Sequence, residues 1–480
     1  MDIPGGDMSN PSHQAALRQR DPVDQTVALH RAPGRLVQDS AASWYVLCLL
    51  TLSYALAYID RQVLNLLVDP IKHSLSISDT QLSLIQGTAF VSAYLIAAPL
   101  FGRLVDVTNR RNILMFGIVL WCVCTACCGR ADTYVELFAA RFGVGASEAC
   151  VFPVSCSLIA DYFSPRKAPR ALSIFTAGQW IGAGLSLVAG GYVLSLADVV
   201  RKSIPAFGSF ASWQIAFVLV GLPGLVLAMV LFTVREPARD VAPTMQSASD
   251  DDKPFELREG IAFIWERRGF YARVYIGVGM LAIVTLAMPA WLPSFLIRCH
   301  GVEPSSVGYR LGILSVILGT TGVLLGPWIA RLFERRGYHD AALRTAGTSM
   351  VAMFVFCALI PFAPSATGVF AAAAGAIFSF SLPIGIIAAA TQLSTPRRLR
   401  GIAASLHTFL AQSIGFGVGP TAIALLTDKV FGNPRMVGYS LGIVSCAASA
   451  LAAWLIFTAL PHYRRMRQER HLDDQPLSPQ

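Results

Sequence analysis

GRLVDVTNRR (Gly102 to Arg111) and GPWIARLFERR (Gly326 to Arg336) are two versions of one polar loop, each set between long apolar runs. Gly326 follows Gly102 by 224 residues. A second pair, SPRKAPRA (Ser164 to Ala171) and TPRRLRG (Thr395 to Gly401), repeats the relation, with Pro396 lying 231 residues after Pro165. Two echoes at nearly one offset, each in the matching loop, mark a duplicated unit, which is transporter architecture. Outward from these loops, apolar runs near the ~20 residues needed to cross hydrocarbon start close to Ser43, Thr80, Asn112, Thr133, Arg170 and Trp213, then Tyr271, Ser305, Leu343, Ser365, Gly401 and Pro434. The runs are continuously apolar, without the alternation of a membrane barrel, so they are read as helices. The expected fold is an all-α membrane protein with twelve transmembrane helices in two pseudo-symmetric six-helix halves.

The division expected along the chain is a disordered polar tail (1–42), a first half (43–234), a central loop (235–270), a second half (271–460) and a short tail (461–480). Within the central loop, Leu257, Ile261, Ile264 and Trp265 fall on one helical face and Glu256, Glu259, Glu266 and Arg267 elsewhere. That spacing suits an amphipathic helix on a membrane surface, or equally a solvated tether.

Composition supports the membrane reading. Hydrophobic residues make up 54% of the chain and charged ones 14%, about half the charge of a soluble domain, which argues against disorder and nucleic-acid binding. The net charge of +9 is explained by the loops: with both termini inside, cytosolic segments hold 28 of the 38 Lys and Arg and external loops hold 8. Both termini are therefore expected to be cytosolic, in the inner (plasma) membrane. No secretory signal opens the chain. The ten cysteines lie mostly inside apolar runs, and Cys122, Cys124, Cys127 and Cys128 spread around a helix without nearby His or carboxylate, so they are read as packing residues rather than a metal site. No phosphate-cradling loop of the Gly-rich, Lys-Ser/Thr type appears, and no nucleophile and base can be placed together, so an ATP-driven pump and an enzyme are both disfavoured. No cofactor is expected.

Ionisable residues inside spans are costly and mark function. Here they are Asp60 and Arg61 in span 1, and Arg141 and Glu148 in span 4. Arg141 and Glu148 are seven residues apart, two helical turns, and share a face with Gly145 between them. Asp60 and Arg61 point about 100° apart, so one is expected to face a cavity while the other meets span 4. The alternative to a proton- or substrate-linked site is a static ion-pair cluster that locks the bundle. In the polar loop, Gly102 is expected to let a turn approach a neighbouring helix, and Asp106 can exchange partners with Arg110 and Arg111, forming a cytosolic gate; a plain positive-inside anchor is the alternative. Gly178, Gly182, Gly184, Gly190 and Gly191 in span 5, and Gly415, Gly417 and Gly419 in span 11, allow close helix contact and rocking, or serve ordinary packing. Gln86, Gln179, His407 and Gln412 are the uncharged polar residues expected on a cavity wall.

These features resemble the major facilitator superfamily, and within it the bacterial members of the Spinster branch. YIDRQVLNLLVDPIK (Tyr58 to Lys72), RFGVGASEACVFPVSCSLIADYF (Arg141 to Phe163), WLPSFLIRCHG (Trp291 to Gly301) and TPRRLRGIAASL (Thr395 to Leu406) carry the resemblance. It implies a secondary transporter alternating between inward- and outward-open states, with Asp60 and Glu148 at coupling positions and Arg141 beside them. Val107 and Ser147 depart from the family pattern, where a basic residue and a glycine are usual. Animal relatives move lysolipids and sphingosine phosphate, so the expected partners are a small-molecule or lipid-like substrate, protons and the bilayer, with the chain acting as a monomer. The expected function is proton-coupled transport of an amphiphilic or small organic anion, drawn in by Arg61 and Arg141. The alternatives are a facilitator, symporter or antiporter for organic carboxylates or drugs, and a receptor that keeps the transporter fold.

Overall fold

The computed structural model describes residues 39–164, 166–205, 208–237, 257–396 and 399–473. Residues 1–38 and 474–480, and Asp250 to Glu256 of the central loop, lie outside it. Among the described residues, twelve helices are long and apolar enough to cross a membrane. In order they are span 1 (Ala41–Leu66), span 2 (Asp79–Val105), span 3 (Arg110–Cys128), span 4 (Tyr134–Tyr162), span 5 (Ala168–Ser203) and span 6 (Ser212–Leu231), then span 7 (Arg268–His300), span 8 (Pro304–Arg335), span 9 (Ala341–Phe362), span 10 (Ala366–Ser394), span 11 (Arg400–Phe431) and span 12 (Pro434–Met466).

Polar residues at the bilayer edges start these helices. The Ser40 hydroxyl accepts the Ser43 N–H, Asn109 accepts from Asn112, Thr133 from Glu136 and Ser365 from Gly368, and Ser78 forms a reciprocal capping box with Gln81. Gly301 (φ 63°) and Gly432 (φ 60°) stop spans 7 and 11 in the left-handed conformation. Helix Leu257–Glu266 precedes span 7, and on it Ile261 and Trp265 are exposed while Phe263 and Ile264 pack on the second-half core.

The helix packing repeats. Span 1 lies on span 5 as span 7 lies on span 11; span 2 on span 4 as span 8 on span 10; spans 4 and 6 on span 3 as spans 10 and 12 on span 9. This is the pseudo-symmetry announced by the duplicated loops. Across the seam between halves, span 5 meets span 8 and span 2 meets span 11.

Glycines set how close the seam comes. A Cβ on Gly191 would stand 2.9 Å from Ser305 Cα, one on Gly308 2.2 Å from the Leu187 carbonyl oxygen, and one on Gly312 2.6 Å from that of Gly184. All of these lie toward the bundle end opposite the chain termini. Nearer the termini, Gly178 packs on Thr51 of span 1 and Gly326 on Leu382 of span 10, each inside its own half. In span 11, Gly415 and Gly419 pack on Ala282 and Ile283 of span 7, while a Cβ on Gly417 would meet nothing within 4 Å among the described residues.

One sequence expectation is corrected here. Gly102 sits within helix Phe90–Val107 rather than in a turn, and among the described residues a Cβ there would meet nothing within 4 Å, so in this conformation no neighbouring helix approaches it. The tight glycine is Gly87, in a stretch of span 2 that widens into a π-helical turn over Leu84–Ala89. A Cβ on Gly87 would stand 2.0 Å from the Phe416 carbonyl oxygen of span 11. Gly87→Ala is therefore expected to cost about 1–3 kcal/mol as backbone is pushed from backbone. Gly102→Ala should stay within about 1 kcal/mol of the parent, on the stabilising side, because it only improves helix propensity. Melting of the two variants in the same detergent checks the contrast.

Candidate functional site

Span 1 leaves regular α-helix just beyond Asp60 and Arg61, where Leu64–Leu66 tightens into a 3₁₀ turn. Span 4 breaks just after Glu148, between helices Tyr134–Glu148 and Val151–Tyr162. Pro153 explains the second break, because it offers no N–H to the carbonyl four residues earlier and its ring crowds that carbonyl. Both irregularities lie deep in the bundle, and the charged residues flank them.

All four charged side chains are buried and meet as two ion pairs between spans 1 and 4. Arg61 Nη2 donates to Glu148 Oε2 at 2.8 Å, and Arg141 Nη1 lies 3.5 Å from Asp60 Oδ1. Neither member of the Asp60–Arg61 dipeptide is left for a separate cavity face, which corrects the expected division of labour. The reason is the rotation of span 1 against span 4, with the two turns between Arg141 and Glu148 presenting one partner to each neighbour.

The two pairs differ in how many bonds hold them. Arg141, 0% exposed, also donates to the carbonyls of Asp60 at 3.4 Å and Arg61 at 3.3 Å, and Asp60 accepts from the Thr125 hydroxyl of span 3. Glu148 has Arg61 as its hydrogen-bond donor, and one buried polar atom on each of the four side chains, Glu148 Oε1, Arg61 Nε, Asp60 Oδ1 and Arg141 Nε, has no hydrogen-bond partner among the described residues. The Arg61 guanidinium carbon stands 4.2 Å from the ring centroid of Phe90, 4.6 Å from Tyr58, and 5.7 Å from both Tyr94 and Phe416. Phe416 belongs to the second half, so Arg61 is the member of the cluster that touches the seam.

The uncharged polar residues are placed as follows. Gln86, on the π-helical turn, donates to Asn65 at 3.2 Å, and Asn65 donates to Gln62, forming a buried chain beside the ion pairs. Gln179 accepts the Tyr54 hydroxyl at 3.2 Å, and Tyr54 stacks edge-on against Tyr58. His407 and Gln412 lie on span 11 of the other half; His407 stands edge-on to Tyr275 with ring centroids 5.8 Å apart and has a buried Nδ1 without a partner among the described residues. Ser147 bonds back to the Gly143 and Val144 carbonyls of its own helix. The sequence reading did not single out Tyr58, Asn65, Phe90, Tyr94, Thr125 or Phe416 as site residues. Apolar and small polar residues crowd every span, and only the helix rotations single these out.

The polar loop at the termini end forms a third cluster. Arg110, at the start of span 3, reaches Asp161 Oδ2 at 2.6 Å, Glu236 Oε1 at 2.8 Å and Ser157 Oγ at 2.9 Å. The Arg111 N–H donates to Glu236 Oε2 at 3.0 Å and its guanidinium to the Val234 carbonyl at 3.2 Å. The loop thus ties spans 3, 4 and 6 of one half. The side chain of Asp106 lies outside the described residues. The second half repeats this knot with the charges reversed: Asp340, before span 9, accepts from Arg344 at 3.2 Å and from Arg464 of span 12 at 2.8 Å. Burial works to raise the Asp340 carboxyl, and the hydrogen bonds from Arg344 and Arg464 outweigh it, holding the group below the usual aspartate value.

Two buried acid–guanidinium pairs inside the first six-helix half, one of them reaching the seam through Arg61 and Phe416, suit the movement of a solute rather than bond chemistry, and the comparisons agree. The Major Facilitator Superfamily profile matches residues 50–420. Protein spinster homolog 1 of Bos taurus is 30% identical over 379 residues, covering 74% of this chain and 66% of that protein, so the chain spans just under two thirds of that relative's length. An MFS-type efflux pump of Mycolicibacterium smegmatis is 24% identical over 432 residues, covering 88% of this chain and 94% of that one. The crystal structure of a bacterial homolog to the human lysosomal transporter Spinster, inward-facing and unoccupied, matches the fold with a TM-score of 0.73 at 22% identity, over 92% of this chain and 100% of that one. The protein is an integral, multi-pass membrane transporter. It belongs to the major facilitator superfamily and is similar to that family's Spinster proteins.

Proposed function

We propose that this transporter carries an amphiphilic or small organic anion together with a proton, and that the Arg61–Glu148 pair is where the two are coupled. The observation that carries this reading is the unequal number of bonds holding the two ion pairs. Arg141 and Asp60 are held by bonds to the Asp60 and Arg61 carbonyls and to Thr125 and act as a strut with a second carboxylate in reserve, whereas Arg61 and Glu148 are joined by a single hydrogen bond. An anionic headgroup competes with the Glu148 carboxylate for Arg61. Protonating Glu148 removes the competitor, so proton and anion are favoured on the same form of the protein. The rings of Tyr58, Phe90, Tyr94 and Phe416 suit the apolar part of such a cargo, and Gln86, Gln179, His407 and Gln412 are proposed as its polar wall. A proton-independent facilitator of carboxylates or drugs and a receptor are the readings this must beat.

The positive-inside count supports both tails and the central loop being cytosolic, which makes the seam's closed end external. The halves at 43–234 and 271–460 would then rock as bodies, with Gly102, Asp106, Arg110 and Arg111 as the gate on the cytosolic side. A tag at Gln480 should stay unreactive toward an impermeant reagent in intact cells, and reaction there would invert the orientation. For the cargo, the purified protein in vesicles is offered lysolipids and organic acids with and without an imposed pH gradient. Accumulation that follows the gradient supports the proposal. Accumulation indifferent to it supports the facilitator, and saturable binding without accumulation supports the receptor.

A further inference from the structure

The connection between spans 1 and 2 is a helix, Val68–Leu75, followed by Ser76 in the left-handed conformation (φ 51°), which turns the chain into the capping box at Ser78. This arrangement sets Asp69, Lys72 and Asp79 together at the bundle end opposite the termini. Facing them from the second half is Arg298, in the last turn of span 7. Its Nε donates to Asp69 Oδ1 at 2.6 Å, its Nη1 to Asp79 Oδ2 at 2.8 Å and its Nη2 to Asp79 Oδ1 at 3.0 Å. The Asp79 contact is a two-pronged guanidinium–carboxylate pair, the strongest geometry for such a contact. Lys72 Nζ adds a bond to Asp79 Oδ1 at 2.7 Å from within the first half. Beside this cluster, Asp428 of span 11 accepts both the N–H and the hydroxyl of Thr80, at 2.6 and 2.7 Å.

Every bond from Arg298 to these acids, and both bonds to Asp428, cross the seam, and Asp79 and Arg298 are both buried or nearly so, at 0% and 9% side-chain exposure. No opening of this end can occur without breaking them. The parting is unequal: Asp79 keeps Lys72, while Arg298 leaves both of its carboxylates. We infer that Arg298, with Asp69 and Asp79, is a latch across the seam that sets how much of the protein is closed at this end, and so positions the transporter for the return step of its cycle. Thr80 and Asp428 form the second tie. The inference rests on the alternating-access part of the proposed function and makes no use of Glu148 or of the cargo.

Spin labels at Ser74 in the first half and Val430 in the second, both exposed, report the width of this end in nanodiscs without substrate or pH gradient. Arg298→Gln should move population to a longer distance, raising the open-to-closed ratio at least tenfold. Arg298→Lys should fall between it and the parent, because the charge remains and the planar fork is lost. Asp69→Asn, which removes one of the two negative charges facing Arg298 and leaves a neutral acceptor, should shift the ratio less than Arg298→Gln. A merely structural role would lower the yield of folded protein without changing the distances. An unchanged distribution in folded Arg298→Gln overturns the latch. If that variant does not fold, Asp69→Asn and Thr80→Val replace it, and unchanged distances in both overturn it equally. Because no substrate or gradient is present, a failure of proton coupling at Glu148 would leave this result standing.

Discussion

Glu148→Gln is expected to abolish accumulation driven by a pH gradient while leaving downhill exchange in place. The substitution keeps the shape and a carbonyl oxygen for Arg61 Nη2, so the 2.8 Å contact retains an acceptor. What disappears is the titratable group. With the competing negative charge gone, Arg61 is open to an anion whatever the pH, and the cycle loses its link to protons. Uptake must be normalised to folded protein, since weakening a buried pair also lowers stability. Undiminished gradient-driven accumulation in Glu148→Gln would remove this carboxyl from the mechanism and leave Asp60 as the remaining coupling acid.

Arg141→Leu is expected to be the most damaging single change to the fold. Arg141 has no exposed surface and holds the Asp60 carboxylate and two span 1 carbonyls. Removing one member of a buried pair leaves the other charge uncompensated and costs about 3–5 kcal/mol. The double variant Asp60→Asn with Arg141→Leu removes the orphaned charge as well, so it should regain much of that loss. Melting of the parent, single and double variants in one detergent makes the comparison. A single variant that melts with the parent would show that Arg141 is not the strut described here.

The helical architecture was legible because the bilayer permits so few solutions. A backbone crossing hydrocarbon has to satisfy its own polar groups, so twelve apolar runs could only be helices, and their starts match the observed ones within three residues. The duplicated loops announced a packing pattern that recurs between the halves. The charged positions were legible for a related reason: Asp60, Arg61, Arg141 and Glu148 stand out where almost nothing else ionises.

Partner choice was not legible, because it depends on helix rotation. Nothing in the string assigns Arg61 to Glu148 and Asp60 to Arg141, and adjacency along span 1 suggested a division between cavity and partner that the fold does not make. Arg298 lies at the end of an apolar run where the sequence shows one more loop cation, and the acids that meet it are more than 200 positions away. Gly87 was passed over for the glycine rows of spans 5 and 11, since a lone glycine carries no period. Asp161, in the last turn of span 4, and Glu236, beyond span 6, are the partners of Arg110, and no spacing in the sequence ties either to it.

Proton movement coupled to cargo movement tests the central claim most directly. The purified protein is sealed in vesicles with a pH-sensitive dye inside and no initial pH difference, and an outward-to-inward gradient of a lysolipid or organic acid that binds it is imposed. The proposed mechanism predicts acidification of the interior that depends on the cargo, saturates with it, and is absent in Glu148→Gln. Cargo entering the wild-type vesicles at full rate with no change in internal pH would contradict it.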